Sequence, residues 1–167
     1  ERRYPTIRQP LGSSAGAILP VQAIVRFKKE RLPLPCCIGM FTGAGDLAGL
    51  GDTINVFNLM GFYGNKILPS DHRSSEIRAF LGGHDPKDPM VSPMRGDLSF
   101  FPPSLMLSGT RDCLLSATSS FHRALRRAGM DSELYVFDAM PHAHWYAFHM
   151  PEAQEAVDIM TKFFLKH

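Results

Sequence analysis

Apolar positions recur along this chain with two spacings, one helical and one strand-like. Over residues 15–31, Ile18, Val21 and Val25 fall at i, i+3 and i+7, one face of a helix, and Lys28, Lys29 and Arg31 load its C-terminal turns, where cations oppose the helix dipole. Pro20 lies inside that pattern and predicts a lost backbone bond and a bend. Residues 36–42 form a short apolar run with the length of a buried strand, and residues 105–108 and 134–137 repeat that signal. Residues 6–11 read as another short strand, weakened by Pro10. A helix is predicted over 116–128, with Phe121, Ala124, Leu125 and Ala128 inward and Gly129 at the left-handed cap position. Pro151 suits the first position of a last helix whose stripe is Val157, Met160, Phe163 and Phe164. Residues 75–81 predict a short helix stopped by Gly82 and Gly83. Residues 43–73 are rich in Gly and Asn and predict loops and short helices, and residues 85–103, with five prolines, a long ordered loop. Strands alternating with helices at this spacing imply an α/β fold with a mainly parallel sheet covered on both faces.

Size and charge narrow the class. The 167 residues suffice for one domain with a core, and 44% hydrophobic against 20% charged residues excludes a disordered chain. A net charge of +2, with basic runs confined to the polar faces of predicted helices, argues against a nucleic-acid partner. No apolar run reaches the length of a membrane span. Three cysteines, Cys36, Cys37 and Cys113, are an odd number without framework spacing, which predicts reduced thiols and a cytoplasmic setting.

The candidate chemistry begins at Gly12-Ser13-Ser14-Ala15-Gly16, a G-x-S-x-G stretch followed directly by the helical pattern. That is the form of a nucleophile elbow, a sharp strand-to-helix turn that lifts a serine hydroxyl clear of a sheet. At Gly12 or Gly16 a side chain is expected to collide with the turn or the neighbouring backbone. In a parallel sheet, groups that converge on a ligand sit just past the carboxyl ends of strands. Ser14, Asp112 and His142 each follow a predicted strand, in the order Ser, Asp, His. A serine hydroxyl needs a base to take its proton, a neutral imidazole can do so, and a carboxylate on the far ring nitrogen fixes the tautomer. The backbone N–H of Ala15 is the candidate oxyanion donor. Ser14 and Asp112 each also suit a helix cap. His142 and His144 have the spacing of a metal pair, but no third ligand stands at useful spacing, so a metal is not expected, and the serine mechanism needs no organic cofactor either.

From Gly12 to the C-terminus the chain resembles the C-terminal half of the hormone-sensitive-lipase-like esterases of the α/β-hydrolase superfamily. The pieces that carry the resemblance are Gly12-Ser13-Ser14-Ala15-Gly16-Ala17, similar to G-D-S-A-G-G; Asp85-Pro86-Lys87-Asp88-Pro89-Met90-Val91-Ser92-Pro93, similar to D-P-x-x-S-P; the segment from Pro102 to Asp112; and Met140-Pro141-His142-Ala143-His144-Trp145, similar to M-x-H-G-F. The resemblance implies an α/β-hydrolase fold and a serine carboxylesterase acting on short- to medium-chain acyl esters, with Ser14 as nucleophile, Asp112 as acid and His142 as base. By position His144 is assigned to pocket or packing.

The whole chain, 1–167, is then expected to be the C-terminal part of a catalytic domain, with residues 43–75 a candidate pocket or cap-contact segment. Phe57, Met60, Phe62 and Tyr63 are candidates there for the pocket or for packing. Ser13 and Ala17 depart from the family pattern, and its upstream H-G-G oxyanion motif has no counterpart here. With the family's first strands and cap helices also unmatched, the elbow strand is expected to present an open edge that pairs with an N-terminal segment or another copy of the chain. Two rival readings remain at this point. One is a small-molecule-binding relative, as in plant members that lack the histidine, and the other is an inactive truncated fragment.

Overall fold

The computed structural model describes residues 9–59 and 75–167. Among these residues four strands form one sheet in the order β1-β2-β3-β4, every neighbouring pair parallel: β1 Leu11–Ser13, β2 Ile38–Phe41, β3 Ser104–Arg111 and β4 Ser132–Pro141. Parallel neighbours need crossovers, and α1 (Ile18–Lys29) and α4 (Leu115–Arg127) supply two of them. Among the described residues, the long β2–β3 connection holds the short helices α2 (Thr53–Leu59) and α3 (Ser75–Leu81), and α5 (Pro151–Lys166) follows β4.

The period of two along the strands divides the core between the two faces of the sheet. Ile38, Met40 and Met106 join Val21 and Ile24 of α1 and Phe121 and Leu125 of α4 on one face. Phe41, Leu105 and Leu107 join Trp145 and, from α5, Ala156 and Phe163 on the other. Fully buried side chains of this size stabilise the fold by about 1.5–3 kcal/mol each. On α5 the buried positions are Ala153, Ala156 and Phe163, with Met160 and Phe164 packed beside them, while Val157 is only half-buried.

Several expectations are corrected. The first strand starts at Leu11 and ends at Ser13, and Gln9 and Pro10 lie outside it; of the predicted span, residues 6–8 fall outside the described residues. Residues 14–17 form a 3₁₀ turn, and α1 begins only at Ile18. Pro20 is therefore in the first turn of α1, where backbone N–H groups have no intrahelical partner, and its ring costs no ladder bond. β3 and β4 run further than their apolar stretches, because ladder pairing continues through Gly109 and up to the Arg111–Pro141 pair. Gly129 takes φ +78°, and the Met130 N–H donates to the Leu125 carbonyl, which closes α4 with the expected left-handed cap. The short helix over 75–81 and the two glycines after it, both at positive φ, stand as predicted. Met60, Phe62 and Tyr63, and the side chain of Phe57, lie outside the described residues.

Candidate active site

All four strands deliver a polar residue at their carboxyl ends. Ser14 follows β1, Thr42 follows β2, Asp112 follows β3 and His142 follows β4. The side chains meet at one rim of the sheet. Ser14 Oγ lies 2.8 Å from His142 Nε2, and His142 Nδ1 lies 2.8 Å from Asp112 Oδ1. Thr42 Oγ1 stands 3.5 Å from the same Nδ1.

Local geometry explains how each group gets there. Ser14 has φ +58°, a left-handed conformation that L side chains rarely adopt and that points the hydroxyl away from the strand. A Cβ on Gly12 would stand 2.1 Å from the Gly16 carbonyl oxygen and 2.9 Å from Ala17 Cα, so the tight turn requires glycine there. At Gly16 the expectation fails: an added Cβ meets no atom within 4 Å among the described residues. Ala15 is exposed in the first turn of the helical segment, where backbone N–H groups point outward without intrahelical partners. The Ser13 hydroxyl is buried and has no hydrogen-bond partner among the described residues.

Asp112 and His142 are placed by the irregular end of the β3–β4 ladder. Arg111 and Pro141 are in register, so the next residue of each strand emerges beside the other. The Ala139 N–H donates to Thr110 Oγ1 at 2.7 Å, and a Cβ on Gly109 would stand 2.0 Å from the Met140 carbonyl oxygen; these contacts hold the two strand ends tightly together. Ala143, at φ +57°, then turns the chain so that His144 and Trp145 go inward. His144 is buried with its ring centroid 4.7 Å from that of Phe137, and burial holds its pKa below the ordinary value.

The Asp112 carboxylate is fully buried, and hydrogen bonds occupy both oxygens. Oδ1 accepts from the Leu114 N–H at 2.9 Å as well as facing the imidazole, and Oδ2 accepts from the Ser108 hydroxyl at 2.8 Å. These bonds offset the cost of removing a charge from water. The buried carboxylate in turn raises the His142 pKa to about 9, through its hydrogen bond first, and the neighbouring Cys113 adds to the rise, against the effect of burial. A hydroxyl, an imidazole and a carboxylate in this order can move a proton from the serine to the ring and hold the resulting cation.

The three predicted residues are thus brought together. Ser108, Leu114, Cys113 and Thr42 were not anticipated. Thr42 carried the same signal as the others, a polar residue at the end of a predicted strand. Ser108 and Cys113 carried none beyond their nearness to Asp112 in sequence. Among the described residues no helix is long and apolar enough to cross a membrane.

Residues 11–146 match a protein family described by the alpha/beta hydrolase fold. The chain is 28% identical over 153 residues to an acetyl-hydrolase of Streptomyces hygroscopicus, an alignment covering 91% of this chain and 50% of that protein. A solved esterase superposes with a TM-score of 0.82 at 31% identity, covering 95% of this chain and 48% of the other. A solved esterase from the bacterial hormone-sensitive lipase family gives 0.81 at 28%, covering 99% and 55%. The chain spans about half the length of each of these relatives.

Proposed function

The chain belongs to the α/β-hydrolase fold family, and from that premise we propose that it carries the acyl-transfer centre of a serine carboxylesterase. The observation behind this reading is the unbroken chain of contacts from Ser14 Oγ through His142 to Asp112, 2.8 Å at each step.

In the proposed reaction Ser14 Oγ attacks the carbonyl carbon of an acyl ester while its proton passes to His142 Nε2. The negative oxygen that forms is held by the Ala15 N–H. Asp112 keeps the proton of the resting imidazole on Nδ1 and stabilises the imidazolium. The ring returns its new proton to the leaving alcohol as the carbon–oxygen bond breaks, which leaves the acyl group on Ser14. Water, deprotonated by the same nitrogen, releases the acid and restores the serine. Every proton is accounted for by the side chains, so no metal or organic cofactor takes part.

Short- to medium-chain acyl esters are the proposed substrates, in keeping with the name of the Streptomyces hygroscopicus relative. The proposed partner is a further strand, from an N-terminal segment or a second copy, along the outer edge of β1. That strand pairs only with β2 among the described residues, and Leu11 on it is 56% exposed. Of the two, only an N-terminal segment can carry the H-G-G stretch that supplies the second oxyanion donor elsewhere in the family, because this chain has none. The three cysteines are thiols, in keeping with a cytoplasmic setting.

Hydrolysis of p-nitrophenyl esters over a series of acyl lengths tests the proposal. Release of p-nitrophenol from the shorter esters, abolished by Ser14→Ala, is the expected result. No release above the buffer rate, or release that survives Ser14→Ala, contradicts it and leaves the binding or inactive reading.

A further inference from the structure

Cys113 adds a soft ligand to the buried end of the Ser14–His142–Asp112 chain. The ligand atoms of Asp112, Cys113 and His142 all lie within 4.8 Å of one another. Asp112 and Cys113 are buried, and the His142 side chain, 34% exposed, forms the open wall. The Cys113 sulfur thus stands beside both the Asp112 carboxylate and the His142 ring.

We propose that Asp112, Cys113 and His142 form an inhibitory site for a thiophilic divalent ion of the zinc and cadmium class. The inference rests on the esterase reading above and adds a means of switching that site off.

The donor set selects the ion. One thiolate sulfur, one imidazole nitrogen and one carboxylate oxygen are the ligands of a tetrahedral zinc site with its fourth position open, whereas magnesium and calcium prefer oxygen alone. Asp112 Oδ1 and His142 Nδ1 now share a hydrogen bond of 2.8 Å. The incoming ion replaces it, taking the lone pair of Nδ1 and one from Oδ1. Oδ2 keeps its bond from the Ser108 hydroxyl, which continues to orient the carboxylate. The thiol releases its proton to water as sulfur binds.

Inhibition follows from the tautomer. A neutral imidazole carries one proton, and a metal on Nδ1 leaves only Nε2 to carry it. Nε2 is the nitrogen that stands 2.8 Å from Ser14 Oγ. It then presents N–H in place of a lone pair and cannot take the serine proton. The ion therefore stops the reaction from the Nδ1 side of the ring, opposite Ser14.

Two readouts on the same protein test this. Titration with cadmium chloride is followed by the sulfur-to-cadmium charge-transfer band in the ultraviolet, for the unaltered protein and for Cys113→Ser, Cys113→Ala and Cys36→Ser. The second readout is the rate of fluorophosphonate labelling at Ser14 with zinc, without zinc, and after chelator.

The expected result is a band that both Cys113 variants reduce by one thiolate. Zinc is expected to slow labelling of the unaltered protein reversibly. The zinc concentration needed is expected to rise about tenfold or more in either Cys113 variant, the scale on which weakened coordination lowers metal affinity, and to stay unchanged in Cys36→Ser. A band that the Cys113 variants leave intact, or equal zinc sensitivity in all four proteins, overturns the proposal. If labelling is absent even without metal, the esterase reading fails and the inhibitory role falls with it, while a Cys113-dependent band still reports the metal site.

Discussion

Replacing Asp112 by Asn removes one charge and leaves the new amide a choice of orientation. Oδ1 accepts from the Leu114 backbone N–H at 2.9 Å and faces His142 Nδ1 at 2.8 Å, whereas Oδ2 accepts from the Ser108 hydroxyl at 2.8 Å. A backbone N–H can only donate, but a hydroxyl can rotate and accept. The amide oxygen of Asp112→Asn therefore stays at the Oδ1 position and the NH₂ turns toward Ser108. The imidazole keeps its Nδ1–H···O bond, and Nε2 remains bare toward Ser14. What is lost is the Asp112 charge, which together with its hydrogen bond and the neighbouring Cys113 holds the His142 pKa at about 9 in place of its ordinary 6.5. At tenfold per pH unit that difference is worth at most roughly 300-fold in stabilisation of the imidazolium. The ring is 34% exposed, and solvent screening reduces the expected loss to about 10–100-fold. The reversed amide would impose the wrong tautomer and cost about 10⁴-fold. The assay is the rate of fluorophosphonate labelling at Ser14 as a function of pH. On the alkaline plateau Asp112→Asn is expected to label about 10–100-fold more slowly, with its midpoint moved down from about 9 toward 6.5. Near neutral pH the two changes oppose each other, because the variant has more neutral imidazole. A plateau loss near 10⁴-fold refutes the role given to Leu114, and an unchanged plateau and midpoint refute the role given to Asp112.

Other outcomes are expected from the same geometry. Gly12→Ala drives a methyl group against the Gly16 carbonyl oxygen at 2.1 Å, whereas Gly16→Ala meets no described atom within 4 Å. Chemical denaturation should show a loss of about 1–3 kcal/mol or more for the first, the range for overpacking, and far less for the second. The two buried-end histidines give stability opposite dependences on pH. His144 is held neutral by burial, so the unfolded chain takes up a proton that the native state refuses, and stability falls as pH drops below 6.5. His142 binds its proton more tightly when folded, so its contribution is complete below 6.5 and fades as pH rises through about 9. Urea midpoints measured against pH should lose the acid-side fall in His144→Phe and the alkaline-side fall in Asp112→Asn. Ser108→Ala removes one of the hydrogen bonds to a buried carboxylate and should cost about 1.5–3 kcal/mol in the same assay.

Much of this site was legible because apolar periodicity marks where strands end, and a parallel sheet gathers its chemistry there. The ends of the predicted strands place Ser14, Asp112 and His142 at one rim, the G-x-S-x-G stretch marks Ser14, and the family resemblance assigns the three roles. Thr42 ends the apolar run over 36–42, so the pattern assigns it to the strand and hides its place at the rim. The lengths of β3 and β4 were hidden for a related reason: Thr110, Arg111 and Asp138 are exposed, so backbone pairing continues where the hydrophobic signal has stopped. Pro20 costs no helix bond because the elbow delays the start of α1 to Ile18, a shift that depends on the 3₁₀ turn and not on the pattern of side chains. Gly16 shows a further limit. A motif glycine implies close approach only where something approaches, and among the described residues nothing does. The contact between Cys113 and His142 depends on how two strand ends are pinned side by side.

The most direct measurement is the intact mass of the protein after treatment with a fluorophosphonate, with peptide mapping of the adduct. A single adduct on Ser14, absent from Ser14→Ala and strongly slowed in His142→Ala, is the predicted result. A protein that stays unlabelled at every pH, or an adduct that maps to another residue, contradicts an activated serine at the end of β1.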